Sequence, residues 1–171
     1  MALGDITLYR DGAFGAQGAH FRQVASGTTA SINSGELVLT TLNQQYVTVW
    51  TASNTAKPVV GTDYVAGLAT TTSDETATLA GKVAIMKIVP GQGFLIKPTT
   101  AATYGVGTTP SQTTYNSLVG RRVLLNTTSA GVQTILSTDG STNGLTVEDL
   151  DISKYPGMVA FSVRTSASVY N

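Results

Sequence analysis

The seven residues MVAFSVR at positions 158–164 carry the clearest structural pattern in this chain. Apolar side chains alternate there with small or polar ones, and Val159, Phe161 and Val163 occupy every second position. Successive side chains of a strand point to opposite faces of a sheet, so these three share one face. The stretch therefore predicts a β-strand whose Phe161 face lies in a core.

Upstream of this strand, short runs rich in valine, threonine and aromatic residues recur between turn residues. They lie at 36–41, 45–51, 63–72, 82–89, 93–97, 121–126, 132–137 and 145–148. Val123 and Leu125 alternate in the same manner, and we expect them to join the core around Phe161. Gly67 interrupts its run and predicts a β-bulge.

One segment has helical signals. Residues 111–118 begin with a serine after Pro110 and end before Gly120, which fits a hydroxyl cap and a glycine stop. The whole pattern predicts an all-β fold, a small barrel or sandwich of about eight or nine short strands with one short helix.

Composition narrows the function classes. The 171 residues amount to about one domain, and only 12% of them are charged. Ten basic and ten acidic side chains cancel, which argues against nucleic acid or an acidic membrane surface as the main partner. The chain has no cysteine, which excludes disulfides, thiolate metal sites and thiol nucleophiles.

Residues 1–34 differ from the rest because five glycines interrupt them. Glycine loses the most entropy on ordering, yet large apolar side chains recur between the glycines. We predict an extended N-terminal arm over 1–34 and a single β-domain over 35–171, with a frayed tail as the alternative. The arm residues expected to contact a partner or a neighbouring copy are Leu3, Ile6, Leu8, Tyr9, Arg10, Phe14, Phe21 and Arg22, with Arg10, Asp11 and Arg22 at the rim of the contact.

The first residues lack the basic start and apolar run of a secretory signal, and no run has the length of a membrane-spanning helix. We therefore expect synthesis in a cytoplasm, without export by a standard signal.

Candidate catalytic and metal-binding groups are sparse. The single histidine, His20, lies in the predicted arm. The acidic pairs Asp74–Glu75 and Glu148–Asp149, with nearby Asp151, look like solvated loop residues rather than two carboxylates facing one cleft. Residues 139–144, DGSTNG, offer oxygen ligands but lack the ligand spacing of a calcium loop, and we expect a hairpin turn with positive φ at Asn143–Gly144. We predict no enzyme activity, no metal and no cofactor.

Several motifs in succession resemble one protein family. They are VVGTDYVAG at 59–67, GKV at 81–83, VPG at 89–91, FLIKP at 94–98, YNSLVGRRVL at 115–124, DGSTNG at 139–144 and LDISKYPGMVAF at 150–161. In this order and spacing they resemble the capsid decoration proteins, also called cement or auxiliary head proteins, of tailed bacteriophages. The resemblance covers about two thirds of the chain.

The resemblance implies a virion structural protein on the outer surface of the phage capsid. It implies binding to the major capsid protein, commonly as a homotrimer, and stabilisation of the shell against the pressure of packaged DNA. It supplies no catalytic residues. The alternative is a head- or tail-fibre type recognition module for host-surface glycans, which exposed aromatic side chains on one loop face, or a metal-binding loop, would favour.

Overall fold

The computed structural model describes residues 6–10, 19–26, 31–40, 46–47, 56–76, 78–89, 91–127, 132–136 and 139–168. Within these ranges the chain forms strands separated by short turns, with one α-helix, α1 (Gln112–Asn116), and two 3-10 turns (Ala101–Tyr104 and Thr165–Ala167). The strands are β1 (Thr7–Arg10), β2 (Ala19–Val24), β3 (Leu37–Thr40), β4 (Tyr46–Val47), β5 (Tyr64–Ala69), β6 (Gly81–Met86), β7 (Gly93–Ile96), β8 (Arg122–Thr127), β9 (Gln133–Leu136), β10 (Leu145–Val147) and β11 (Val159–Val163).

The strands form two open sheets in a sandwich-like arrangement. The first sheet has the order β1-β7-β11-β10-β8-β9, and the second sheet has the order β3-β5-β6-β2-β4. The predicted all-β class and the short helix are confirmed. The barrel alternative is wrong, because the described strands form two sheets that each end in unpaired edges instead of closing.

The main core lies where the two sheets face each other, and alternation along the strands builds it. Phe161 is paired with Phe94 on one side and with Val147 on the other, so these side chains share a face. Both phenylalanines are fully buried, with ring centroids 5.7 Å apart. Leu37 and Val65 of the second sheet belong to the same buried cluster. The predicted core positions are confirmed except that Val163 is only half-buried: Val123, Leu125, Val159 and Phe161 are all buried.

A buried glutamine links the edges of the two sheets. The Gln133 side chain on edge strand β9 accepts a hydrogen bond from the Leu37 amide at 2.9 Å. It also donates to the Leu37 carbonyl at 3.0 Å. The side-chain amide thus pairs with β3 as another strand would, and satisfies backbone groups that burial would otherwise leave unpaired.

Helix α1 is shorter than predicted but begins as expected. The Ser111 side chain accepts a hydrogen bond from the Thr114 amide at 3.2 Å, which is a helix N-cap. The helix positions Tyr115, whose buried hydroxyl donates to the Glu148 carbonyl at 3.0 Å and accepts from the Ala160 amide at 2.9 Å. Tyr115 therefore connects α1 to strand β11 and to the end of β10.

The two buried tyrosines predict a loss of stability in alkali. Burial raises the pKa of Tyr115 to about 12, and burial also raises the pKa of Tyr104. An unfolded tyrosine titrates near 10, so between about pH 10 and 12 the folded chain holds protons that the unfolded chain releases. The free energy of unfolding should therefore fall as pH rises through this window.

Two variants separate burial from hydrogen bonding. The Tyr104 hydroxyl has no hydrogen-bond partner among the described residues, so Tyr104→Phe should preserve stability at neutral pH and weaken the alkaline decline. Tyr115→Phe should lower the free energy of unfolding at neutral pH by about 1–3 kcal/mol, because two backbone groups lose their partner. Urea unfolding at neutral pH and at about pH 11 measures both effects. Equal behaviour of the two variants at neutral pH would contradict this assignment.

The structure differs from the prediction of a separate N-terminal arm. Strand β1 pairs with β7 at the edge of the first sheet, and β2 lies between β6 and β4 inside the second sheet. The Ile6 amide donates to the Gly35 carbonyl at 3.0 Å, and both Ile6 and Val24 are buried. The glycine content of 1–34 was misleading because its glycines are unevenly spaced. Residues 5–11 and 19–26 contain none and can form strands.

Candidate partner-binding surface

An uncovered part of the second sheet is the strongest candidate for a binding surface. In the register of β2, Phe21 lies opposite Ala84, and Gln23 lies opposite both Lys82 of β6 and Tyr46 of β4. Directly opposed residues point to the same face of a sheet. We call the surface formed by Ala19, Phe21, Gln23, Tyr46 and Lys82 the Phe21 face.

The same face of the second sheet is buried at the neighbouring strands β5 and β3. Met86 of β6 lies opposite Leu68 of β5, which lies opposite Leu37 of β3, and all three belong to or pack against the main core. Alternation along β6 places Met86 and Lys82 on one face. The face is therefore covered at β3 and β5 and open at β2 and β4.

Exposure marks this open part as unusual. The Phe21 residue is 74% exposed and Tyr46 is 39% exposed, although both are aromatic. Ala19, Gln23 and Lys82 are exposed as well. Phe21, Arg22, Gln23 and Lys82 line a shallow depression of about 340 Å³. Two aromatic rings beside a cation suit contact with a partner that buries the rings.

The turn before β6 holds Lys82 in place. The Lys82 amide donates to the Asp74 carboxylate at 2.5 Å. A Cβ at Gly81 would lie 2.1 Å from the Glu75 backbone nitrogen, so this close approach requires glycine. Asp74 and Glu75 form one of the acidic pairs examined in the sequence. Asp74 is exposed and accepts a backbone hydrogen bond, whereas Glu75 is buried.

The predicted contact residues divide into two groups. Ile6 is buried, and Leu8 and Tyr9 pack against the main core of their own chain. The Tyr9 ring meets that of Tyr155 edge to face at 5.2 Å. Arg10 donates to Glu148 at 3.2 Å and to the Gly91 carbonyl at 3.1 Å.

Among the described residues of the predicted set, only Phe21 belongs to the Phe21 face; Arg22 lines the depression but lies opposite Val83, so its strand position is on the other face of the sheet. Leu3, Phe14 and the rim residue Asp11 lie outside the described residues. Sequence reasoning missed Gln23, Tyr46 and Lys82, whose shared face depends on the order of strands that are distant in sequence. The spacing of Phe21 and Gln23, two residues apart, was the one local sign that these two side chains share a face.

The residues considered for catalysis do not converge. His20 is exposed and lies opposite Ile85, on the other face of the second sheet from Phe21. Glu148 accepts hydrogen bonds from Arg10 and, at 2.5 Å, from the Ser162 hydroxyl. A hydrogen bond from the Ser153 side chain lowers the pKa of exposed Asp151. No group of three or more His, Cys, Asp or Glu within the described ranges could hold a metal ion.

Residues 139–144 form a structural turn. The Asp139 carboxylate accepts from the Arg122 amide at 3.1 Å, and the Asn143 side chain donates to the Arg122 carbonyl at 2.8 Å. The expected positive φ at Gly144 is not found. Glycine is needed there for space, because a Cβ would lie 2.7 Å from the Pro58 ring.

No helix among the described residues is long and apolar enough to cross a membrane. Comparison of the chain with protein-family models, with curated proteins and with solved structures found no match.

Proposed function

We propose that this chain is a capsid decoration protein of a tailed bacteriophage, which binds the outside of the head as a homotrimer and stabilises the shell. The motifs from 59 to 161 support the family assignment. The observation that supports the binding role is the Phe21 face, where a phenylalanine is 74% exposed on the same sheet face that is buried in the main core at β3 and β5. The proposal assigns no catalytic step, cofactor or metal.

The proposed contact is modest per subunit and strong per trimer. Burying a phenylalanine side chain contributes about 1.5–3 kcal/mol. Lys82, at the margin of the ring pair, adds preference for a partner surface with a carboxylate. Three such contacts on one trimer act together, because the second and third binding events are intramolecular. The major capsid protein, repeated in a regular lattice, is the partner that such an arrangement fits.

In this proposal the partner contacts a sheet surface and not the N-terminal arm that the sequence predicted. Ile6, Leu8 and Tyr9 are already used within their own subunit, so they do not serve the partner. Phe21 remains from the predicted set, and Gln23, Tyr46 and Lys82 join it.

Co-sedimentation of the full chain with empty heads of the phage that encodes it tests the proposal. Wild type should bind the heads, and Phe21→Ser should weaken binding by at least about ten- to hundredfold, which is the loss expected from one buried ring, and by more where several subunits of a trimer bind together. Leu79→Ser is the matched control, since Leu79 is 67% exposed outside the Phe21 face, and it should bind as wild type. Absence of wild-type binding would reject the decoration role. Sedimentation equilibrium should report three copies, and a monomer would reject the trimer.

A second candidate function has one specific observation in its favour. Phe21 and Tyr46 place two aromatic rings on one face, and such rings can stack on sugars. A glycan array with wild type and Phe21→Ser distinguishes the two functions. Glycan binding that is lost in Phe21→Ser, without binding to heads, would favour the recognition module.

A further inference from the structure

Asn143 and Gly144 lie at a junction of four chain segments. The Gly144 amide donates to the Pro58 carbonyl at 2.9 Å. The Asn143 side chain donates to the Arg122 carbonyl, and the Asn143 carbonyl accepts from the Arg164 guanidinium at 2.7 Å. Asn143 is buried, and Gly144 packs too closely on Pro58 to allow a side chain.

An asparagine followed by glycine is chemically labile, because no side chain hinders the glycine nitrogen. The Gly144 backbone nitrogen attacks Cγ of Asn143, a C–N bond forms, and the Cγ–Nδ2 bond breaks. The Gly144 amide proton passes through water to the leaving Nδ2, which departs as ammonia and leaves a cyclic succinimide. Water then opens the ring at either carbonyl and yields aspartate or isoaspartate.

Every group that must move in this reaction is held in the folded chain. The attacking nitrogen carries a hydrogen bond to Pro58, and the leaving amide carries one to Arg122. Rotation that brings Gly144 nitrogen to Cγ would break both bonds within a packed junction. We propose that Asn143 is a latent deamidation site, which the fold silences and which unfolding or local opening releases.

The modification would also destabilise the native state. Aspartate at 143 would place a carboxylate oxygen where the Asn143 amide now donates to the Arg122 carbonyl, 2.8 Å away. Isoaspartate would insert an additional carbon into the backbone at the same junction. A chain that stays unfolded long enough to deamidate therefore refolds to a less stable native state.

Peptide mapping by mass spectrometry of the full chain, incubated at mildly alkaline pH with and without urea, tests this proposal. Asn33, followed by Ser34, is the internal control, because it is exposed and its side-chain amide donates to Glu36, three residues away, and not across a packed junction. In urea Asn143 should deamidate faster than Asn33, and in the folded protein the order should reverse. Folding should slow the reaction at Asn143 at least about tenfold, as expected when it requires an opening. Equal rates at Asn143 with and without urea would overturn the proposal.

Two variants test the mechanism. Arg164→Ala removes the hydrogen bond from the Arg164 guanidinium to the Asn143 carbonyl, and it should raise the rate of deamidation at Asn143 in folded protein but leave Asn33 unchanged. Asn143→Asp should lower the melting temperature, whereas Asn116→Asp should not, because Asn116 is exposed and its oxygen accepts from Gln112. An unaltered Asn143 rate in Arg164→Ala would overturn the protective role of the junction. A wild-type melting temperature for Asn143→Asp would overturn the proposed destabilisation by deamidation.

Discussion

Replacing Phe161 with alanine is expected to lower the free energy of unfolding by about 3–5 kcal/mol. The Phe161 residue is fully buried in β11, the third strand of the six-stranded first sheet. Its ring lies 5.7 Å from that of Phe94, and Val147 flanks it on the next strand. Truncation removes this apolar contact and leaves a cavity between well-packed strands, which relax only partly.

Phe21→Ala is the matched control, because it makes the same chemical change at a ring that is 74% exposed. Its effect should stay within about 0.5 kcal/mol, as is usual for surface substitutions. Urea denaturation followed by circular dichroism measures both variants. Similar losses for the two would contradict the assignment of Phe161 to the core and Phe21 to the surface.

Local pattern was sufficient for the strands after residue 35. The alternation at 158–164 became β11 (Val159–Val163), and the run at 93–97 became β7 (Gly93–Ile96). The predicted bulge at Gly67 is present, since the pairing of β3 with β5 shifts register there. A Cβ at Gly67 would lie 2.4 Å from the Met86 carbonyl, so glycine is required. In these segments side-chain period and turn residues agree with each other.

The order of the strands in the two sheets could not be predicted from local sequence pattern. Nothing local to Phe21 indicates that β2 pairs with β6, more than fifty residues later in the chain, and with β4 on its other side. The open surface follows from that order, because Tyr46 and Lys82 meet Gln23 only through it. The inter-sheet bond of Gln133 to Leu37 has the same origin. Long-range pairing thus decided the candidate site, whereas side-chain period decided the elements.

Deleting residues 2–28 is expected to abolish cooperative folding. The deletion removes β1 and β2, so β7 and β6 each lose a partner along their length and β4 loses the strand to which it pairs. The deletion also removes Val24, which is buried with Val83 and Ile85 in a second, smaller apolar cluster, and Ile6 of the main core. The free energy lost with one strand from each sheet should exceed the net free energy of unfolding of a domain, which is about 5–15 kcal/mol.

Thermal unfolding followed by far-ultraviolet circular dichroism measures this outcome, with Phe21→Ser in the full chain as the control. The control alters the exposed face of the same strand and should retain a sharp transition near that of wild type, because Phe21 contributes nothing to the core. The truncated chain should show no cooperative transition. If instead it keeps wild-type β-sheet signal and melts sharply, residues 1–34 are a dispensable arm. The sheet pairing of β1 and β2 would then not be needed for folding. The extended partner-binding arm predicted from the sequence would again be the better description of this segment.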